Sequence, residues 1–123
     1  MVVRRTLVAV VDDDESVREW LPDLLAELGF EAKAFASAEE FLATGCLADA
    51  GCLVLDIGLP GLSGPELQEE LVRRGYRLPV IFITARGKDS IPAGLRQRAV
   101  PCLFKPFSDQ ELRAALDAAL PRS

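Results

Sequence analysis

Short apolar runs alternate with amphipathic stretches about five times along the chain. Thr6-Leu-Val-Ala-Val-Val11 is apolar, β-branched and followed by acids, which predicts a strand buried on both faces. Val17, Leu21, Leu24 and Leu28 fall at i, i+4, i+7 and i+11, one stripe of a helix that Gly29 ends. Pro22 sits inside that stripe, where a missing donor costs about 3 kcal/mol and predicts a local kink. A weaker strand follows at Glu31–Phe35, then a short helix at Ala38–Thr44. Cys52-Leu-Val-Leu55 is the third strand and runs straight into Asp56. A loop with Gly58, Pro60, Gly61 and Gly64 leads to a helix carrying Leu67, Leu71 and Val72. Pro79-Val-Ile-Phe-Ile-Thr84 and Cys102-Leu-Phe104 are the fourth and fifth strands, and Leu112, Ala115, Leu116 and Ala119 share one face of the last helix. Between those two strands, Lys88–Arg98 holds Pro92 and Gly94 with only Ile91 and Leu95 as anchors, a short and marginal helix.

Helix starts are marked by repeated S-x-x-E patterns, each able to form a reciprocal capping box: Ser16–Glu19, Ser37–Glu40, Ser63–Glu66 and Ser108–Glu111. A (βα)5 alternation predicts an α/β fold, a parallel sheet with helices on both faces. Right-handed crossovers then bring the carboxyl ends of all strands to one edge. Asp12, Asp13, Asp56, Thr84 and Lys105 all lie at strand ends, so residues far apart in sequence meet where open α/β sheets bind ligands.

Composition narrows the chemistry that this edge can perform. The 123 residues suit a single domain spanning 1–123, with 50% hydrophobic and 27% charged residues. Nineteen acids against fourteen bases give a net charge of −5, which argues against direct nucleic-acid binding. There is no histidine, which excludes Ser-His-Asp and Cys-His catalysis and His-ligated zinc. Cys46, Cys52 and Cys102 lack metal-like spacing and read as small apolar residues of a reducing, cytoplasmic compartment. No apolar run approaches the roughly 18–20 residues of a membrane span.

Packed carboxylates repel one another unless a cation joins them. All-oxygen ligation points to a hard divalent ion, and Mg²⁺ is the natural choice because it binds through one or two carboxylates together with a phosphate. Lys105 adds a compact positive charge and Thr84 a hydroxyl. The set suits a phosphoryl group carried on a carboxylate.

Val10-Val-Asp-Asp-Asp14, Leu55-Asp-Ile-Gly-Leu-Pro-Gly-Leu-Ser-Gly64, Ile83-Thr-Ala85 and Lys105-Pro-Phe107 together resemble the receiver domains of bacterial two-component response regulators, most nearly the FixJ-like subgroup. The resemblance implies a flavodoxin-like, doubly wound sheet in the order 2-1-3-4-5. It makes Asp56 the phosphoacceptor, with Mg²⁺ held by Asp12, Asp13, Asp56 and the backbone carbonyl of Gly58. Thr84 and Lys105 would contact the phosphoryl group, and the bond before Pro106 would be cis. The implied donor is a sensor histidine kinase or phosphotransfer protein, and the output is contact with a downstream protein near the last two helices; a homodimer stays open. No conventional enzyme is implied, only Mg²⁺-dependent self-phosphorylation and autodephosphorylation. The last helix ends at Leu120, so no output domain is expected in the chain.

Three departures stand against that pattern. Cys102 occupies the switch position where the family carries an aromatic ring, Gly58 replaces a longer side chain, and the span from Thr84 to Lys105 is short. They motivate one alternative, a degenerate receiver used as a docking module. A second alternative is a haloacid-dehalogenase-type phosphatase with Asp12 as nucleophile, since Asp12-Asp-Asp14-Glu-Ser16 fits D-x-D-x-S. Asp14 itself reads as a helix N-cap, and Trp20 as a partly exposed ring at a helix edge.

Overall fold

The structure is a computed structural model that describes residues 6–45, 49–59, 61–84 and 102–120. Among these lie five strands, β1 (Leu7–Val11), β2 (Glu31–Phe35), β3 (Ala50–Asp56), β4 (Val80–Thr84) and β5 (Cys102–Phe104). The helices are α1 (Glu15–Glu27), α2 (Ala38–Ala43), α3 (Gly64–Arg73) and, last in the chain, α4 (Asp109–Ala119). Cys46, Pro60 and the helix expected over Lys88–Arg98 lie outside the described residues.

The strands form one parallel sheet in the order β2-β1-β3-β4-β5. Side chains alternate along each strand, so the sheet divides its apolar residues between two layers. Leu7, Ala9 and Val11 of β1, Leu53 and Leu55 of β3 and Phe82 of β4 face Phe41 of α2 and Leu67 and Leu71 of α3. Val8 and Val10, Cys52 and Val54, and Ile81 and Ile83 face Val17, Leu21 and Leu25 of α1 and Leu112 and Leu116 of α4. Covering both faces makes the inner strands continuously apolar, and each fully buried Leu or Phe contributes roughly 1.5–3 kcal/mol. β2 is one of the two edge strands, and its Glu31 and Lys33 are exposed. Charges on an outer strand discourage edge-to-edge pairing.

Helix ends refine the reading of the sequence. Ser63 with Glu66 and Ser108 with Glu111 form complete capping boxes. Ser37 accepts from the Glu40 amide. Ser16 is no cap: Asp14 takes that place, accepting from the Ser16 amide at 2.9 Å, so the helix begins two residues earlier than a Ser16–Glu19 box requires. α1 runs through Pro22 as a single element. Its end is a Schellman motif, with Gly29 at φ +98° and the Phe30 amide donating to the Leu25 carbonyl. The centre of its buried stripe is Val17, Leu21 and Leu25, with Leu24 and Leu28 packed beside it. Val72, grouped with Leu67 and Leu71 on the helix, is 60% exposed. Among the described residues no helix is long and apolar enough to cross a membrane.

Candidate functional site

Three backbone hydrogen bonds prolong the sheet past its strands and fix the carboxyl edge. The Asp12 amide donates to the Phe35 carbonyl at 3.1 Å, the Ile57 amide to Ile83 at 3.0 Å and the Lys105 amide to Thr84 at 2.8 Å. The side chains of Asp12, Asp56 and Lys105 therefore leave from backbone that is held by the sheet rather than from free loop.

Asp12 is completely buried. Besides its amide, its carbonyl accepts from Arg18 Nη1 at 3.0 Å and its Oδ1 from the Asp14 amide at 2.9 Å, while its Oδ2 is ion-paired with Lys105 Nζ at 2.7 Å. A buried carboxylate without such partners would be costly, so this set of bonds explains how the charge is tolerated. Asp13, next in the chain, is exposed. Asp56 ends β3 and is buried; its Oδ1 accepts from the Gly58 amide at 3.0 Å and its Oδ2 lies 3.9 Å from Lys105 Nζ. Burial is the main force on Asp56 and raises its carboxyl to about 6, opposed by the Gly58 amide, reinforced by the charge of Asp12 and opposed again by Lys105.

Oxygens of Asp12, Asp13 and Asp56 come within 4.8 Å of one another. Among the described residues, three carboxylates thus face one ammonium, and that ammonium sits nearer Asp12 than Asp56. An all-oxygen set with excess negative charge fits a hard divalent cation and suits no soft one.

The loop after β3 is shaped by close approach. A methyl group built on Gly64 would lie 2.7 Å from the Asp56 carbonyl oxygen and 3.1 Å from Ile57 Cα, both backbone atoms, so only glycine lets α3 begin here. Glu39 of α2 supports the same loop by accepting from the Leu62 amide at 3.1 Å. Thr84 ends β4, buried, in register with Phe104. Cys102, half-buried and in register with Phe82, packs beside the α2 and α3 layer, and burial pushes its thiol up. The bond between Lys105 and Pro106 is cis. Gly58 is exposed.

The edge thus brings together Asp12, Asp13, Asp56, Gly58, Thr84 and Lys105 and leaves Cys102 on the strand behind them. Three contacts are absent from the reading of the sequence: Arg18 on the Asp12 carbonyl, Glu39 on the loop, and Trp20 against Phe107 with ring centroids 5.5 Å apart. Arg18 follows the Asp14 cap by four residues, one helical turn, and that spacing is the one available signal. Glu39 and Phe107 lie too far along the chain from their partners for any local pattern to show them.

Residues 8–117 match the family model described as the response regulator receiver domain. Nodulation protein W of Bradyrhizobium diazoefficiens is 46% identical over 121 residues, covering 96% of this chain and 52% of that protein. The transcriptional regulatory protein FixJ of Azorhizobium caulinodans is 41% identical over 117 residues, covering 94% of this chain and 56% of its own length. The crystal structure of FixJ-N superposes with a TM-score of 0.81 at 34% identity, covering 95% of this chain and 94% of that one. The chain spans about half the length of the curated relatives it matches.

Proposed function

We propose, from the premise that this chain belongs to the response regulator receiver domain family, that Asp56 accepts a phosphoryl group from a histidine of a partner kinase or phosphotransfer protein. Receiver domains accept phosphoryl groups from histidine kinases and bind Mg²⁺ through acidic residues. The observation that carries the proposal is the meeting of Asp12, Asp13 and Asp56 within 4.8 Å, with the Lys105 ammonium 2.7 Å from one acid and 3.9 Å from another.

Asp56 is the acceptor because it stands between the other groups on the end of β3. One of its carboxylate oxygens attacks phosphorus, the phosphorus–nitrogen bond to the donor imidazole breaks, and an acyl phosphate remains on Asp56. Gly58 keeps the carboxylate oriented through its amide, and Lys105 and Thr84 are the groups placed to meet the equatorial oxygens. Asp12, Asp13, Asp56 and the Gly58 carbonyl would hold Mg²⁺, which supplies neutralisation of the charge that collects on the phosphoryl oxygens. Return to the resting state is hydrolysis, in which water attacks phosphorus and the Asp56 carboxylate leaves. The chain then acts through contacts with a downstream protein rather than by turning over a substrate.

Two other readings have observations of their own. A docking module without phosphorylation is favoured by Cys102, whose thiol offers no ring at the switch position. A phosphatase with Asp12 as nucleophile is disfavoured, since Asp12 is completely buried with both carboxylate oxygens engaged, and Asp14 is spent as the α1 cap. Incubation with Mg²⁺ and acetyl phosphate, followed by intact mass, separates the three. Receiver chemistry adds one phosphoryl group to wild type and none to Asp56→Ala. A docking module gains nothing in either protein, and a gain that survives Asp56→Ala while Asp12→Asn abolishes it restores the phosphatase reading.

A further inference from the structure

Helix α1 reaches both members of one ion pair. Arg18 donates to the carbonyl of Asp12 at 3.0 Å, and Trp20, two residues on, lays its ring against Phe107 with centroids 5.5 Å apart and planes at 56°. Asp12 and Lys105 form the ion pair itself at 2.7 Å, and Phe107 stands two residues beyond Lys105. The same helix therefore grips the acid directly and the lysine through an aromatic contact.

Lysine carries its charge on a flexible stem, so the position of its backbone decides which acid the ammonium can serve. The Lys105 amide has one hold, on the Thr84 carbonyl, and its ammonium has two acids at unequal distances. Cys102 supplies no ring on the strand leading into this segment. Trp20 is 39% exposed, while Phe107 is partly buried against the layer that α1 and α4 share. Tilted aromatic pairs at this separation attract beyond the area they bury.

We propose that Trp20 is a positioning residue for Lys105: by holding Phe107, it fixes the Lys105-Pro-Phe107 segment where the ammonium spans Asp12 and the phosphoryl group on Asp56. The inference rests on the reading of Asp56 as phosphoacceptor. Because Trp20 acts on the lysine and not on the acids, its loss slows phosphoryl transfer without weakening the cation site.

The test measures the rate of phosphorylation by acetyl phosphate, followed by intact mass, alongside Mg²⁺ affinity by calorimetry. Trp20→Ala should be about two- to tenfold slower, the factor that an aromatic pair of this kind represents. Its Mg²⁺ affinity should equal that of wild type. Trp20→Phe, which keeps a ring for Phe107, should run near the wild-type rate. In a Lys105→Met background, Trp20→Ala should cause no further slowing, because the group it positions is gone. An undiminished rate in Trp20→Ala overturns the inference, as does equal slowing in the Lys105→Met background or a matching loss of Mg²⁺ affinity. Wild type that gains no phosphoryl group overturns the reading of Asp56 and the inference with it, whereas normal phosphorylation of both wild type and Trp20→Ala overturns the inference alone.

Discussion

Asp56 is a largely buried carboxylate beside a second acid, with one amide and one ammonium to support it. Its carboxyl titrates near 6, above the ordinary 3.8. Between about pH 4 and 6 the folded protein keeps a proton that the unfolded chain has already lost, so stability falls as pH rises through that window. Above it the full cost of the buried charge is present. Asp56→Asn should therefore stabilise the metal-free protein at pH 7 by about 1–3 kcal/mol, and the difference should vanish below about pH 4. Chemical denaturation at the two pH values, in the presence of chelator, checks both the sign and the window. Asp56 is thus expensive to keep charged, and the cost lies at the residue whose charge the proposed reaction uses.

At the scale of elements, the caps make separable contributions. Asp14 accepts from an α1 amide, whereas Ser16 only donates its hydroxyl to Asp14 at 2.7 Å on the surface. Asp14→Ala should cost about 1 kcal/mol in denaturant unfolding and Ser16→Ala less than about 0.5 kcal/mol. Ser108→Ala, which breaks a complete capping box, should resemble Asp14→Ala. The sequence makes the strand cores and helix starts readable because alternation and capping are local. It leaves the centre of the α1 stripe to the structure, since an apolar stripe about 100° wide admits Leu24 or Leu25 equally well. Val72 shows the same limit: it adjoins Leu71 in sequence, and adjacent helical positions point about 100° apart, so only one faces the sheet. Ser16 fits a capping pattern by type, but Asp14, two residues earlier, holds the extended backbone that a cap needs.

At the scale of the whole molecule, the acidic cluster found among the described residues lies at one edge of the sheet, and cation binding there should be read in global stability. Mg²⁺ at a hundredfold excess over its dissociation constant should stabilise the wild type by about 2.7 kcal/mol. Chelator should reverse the gain, and Asp13→Asn, an exposed substitution that leaves the core intact, should abolish most of it in thermal melts. The edge is legible from sequence because parallel topology carries every strand's last residue to the same place, which is why Asp12, Asp56 and Lys105 can be grouped before any coordinates exist. What topology leaves out is the direction of each bond. It does not reveal that Lys105 rests on Asp12 rather than Asp56, or that Trp20 meets a ring 87 positions later. The approach of Gly64 to the Asp56 carbonyl adds a mechanical point. With no room for even a methyl group between them, the first turn of α3 and the backbone of Asp56 are wedged together. A push on the outer surface of α3 is therefore passed, over a short distance, to the backbone of Asp56.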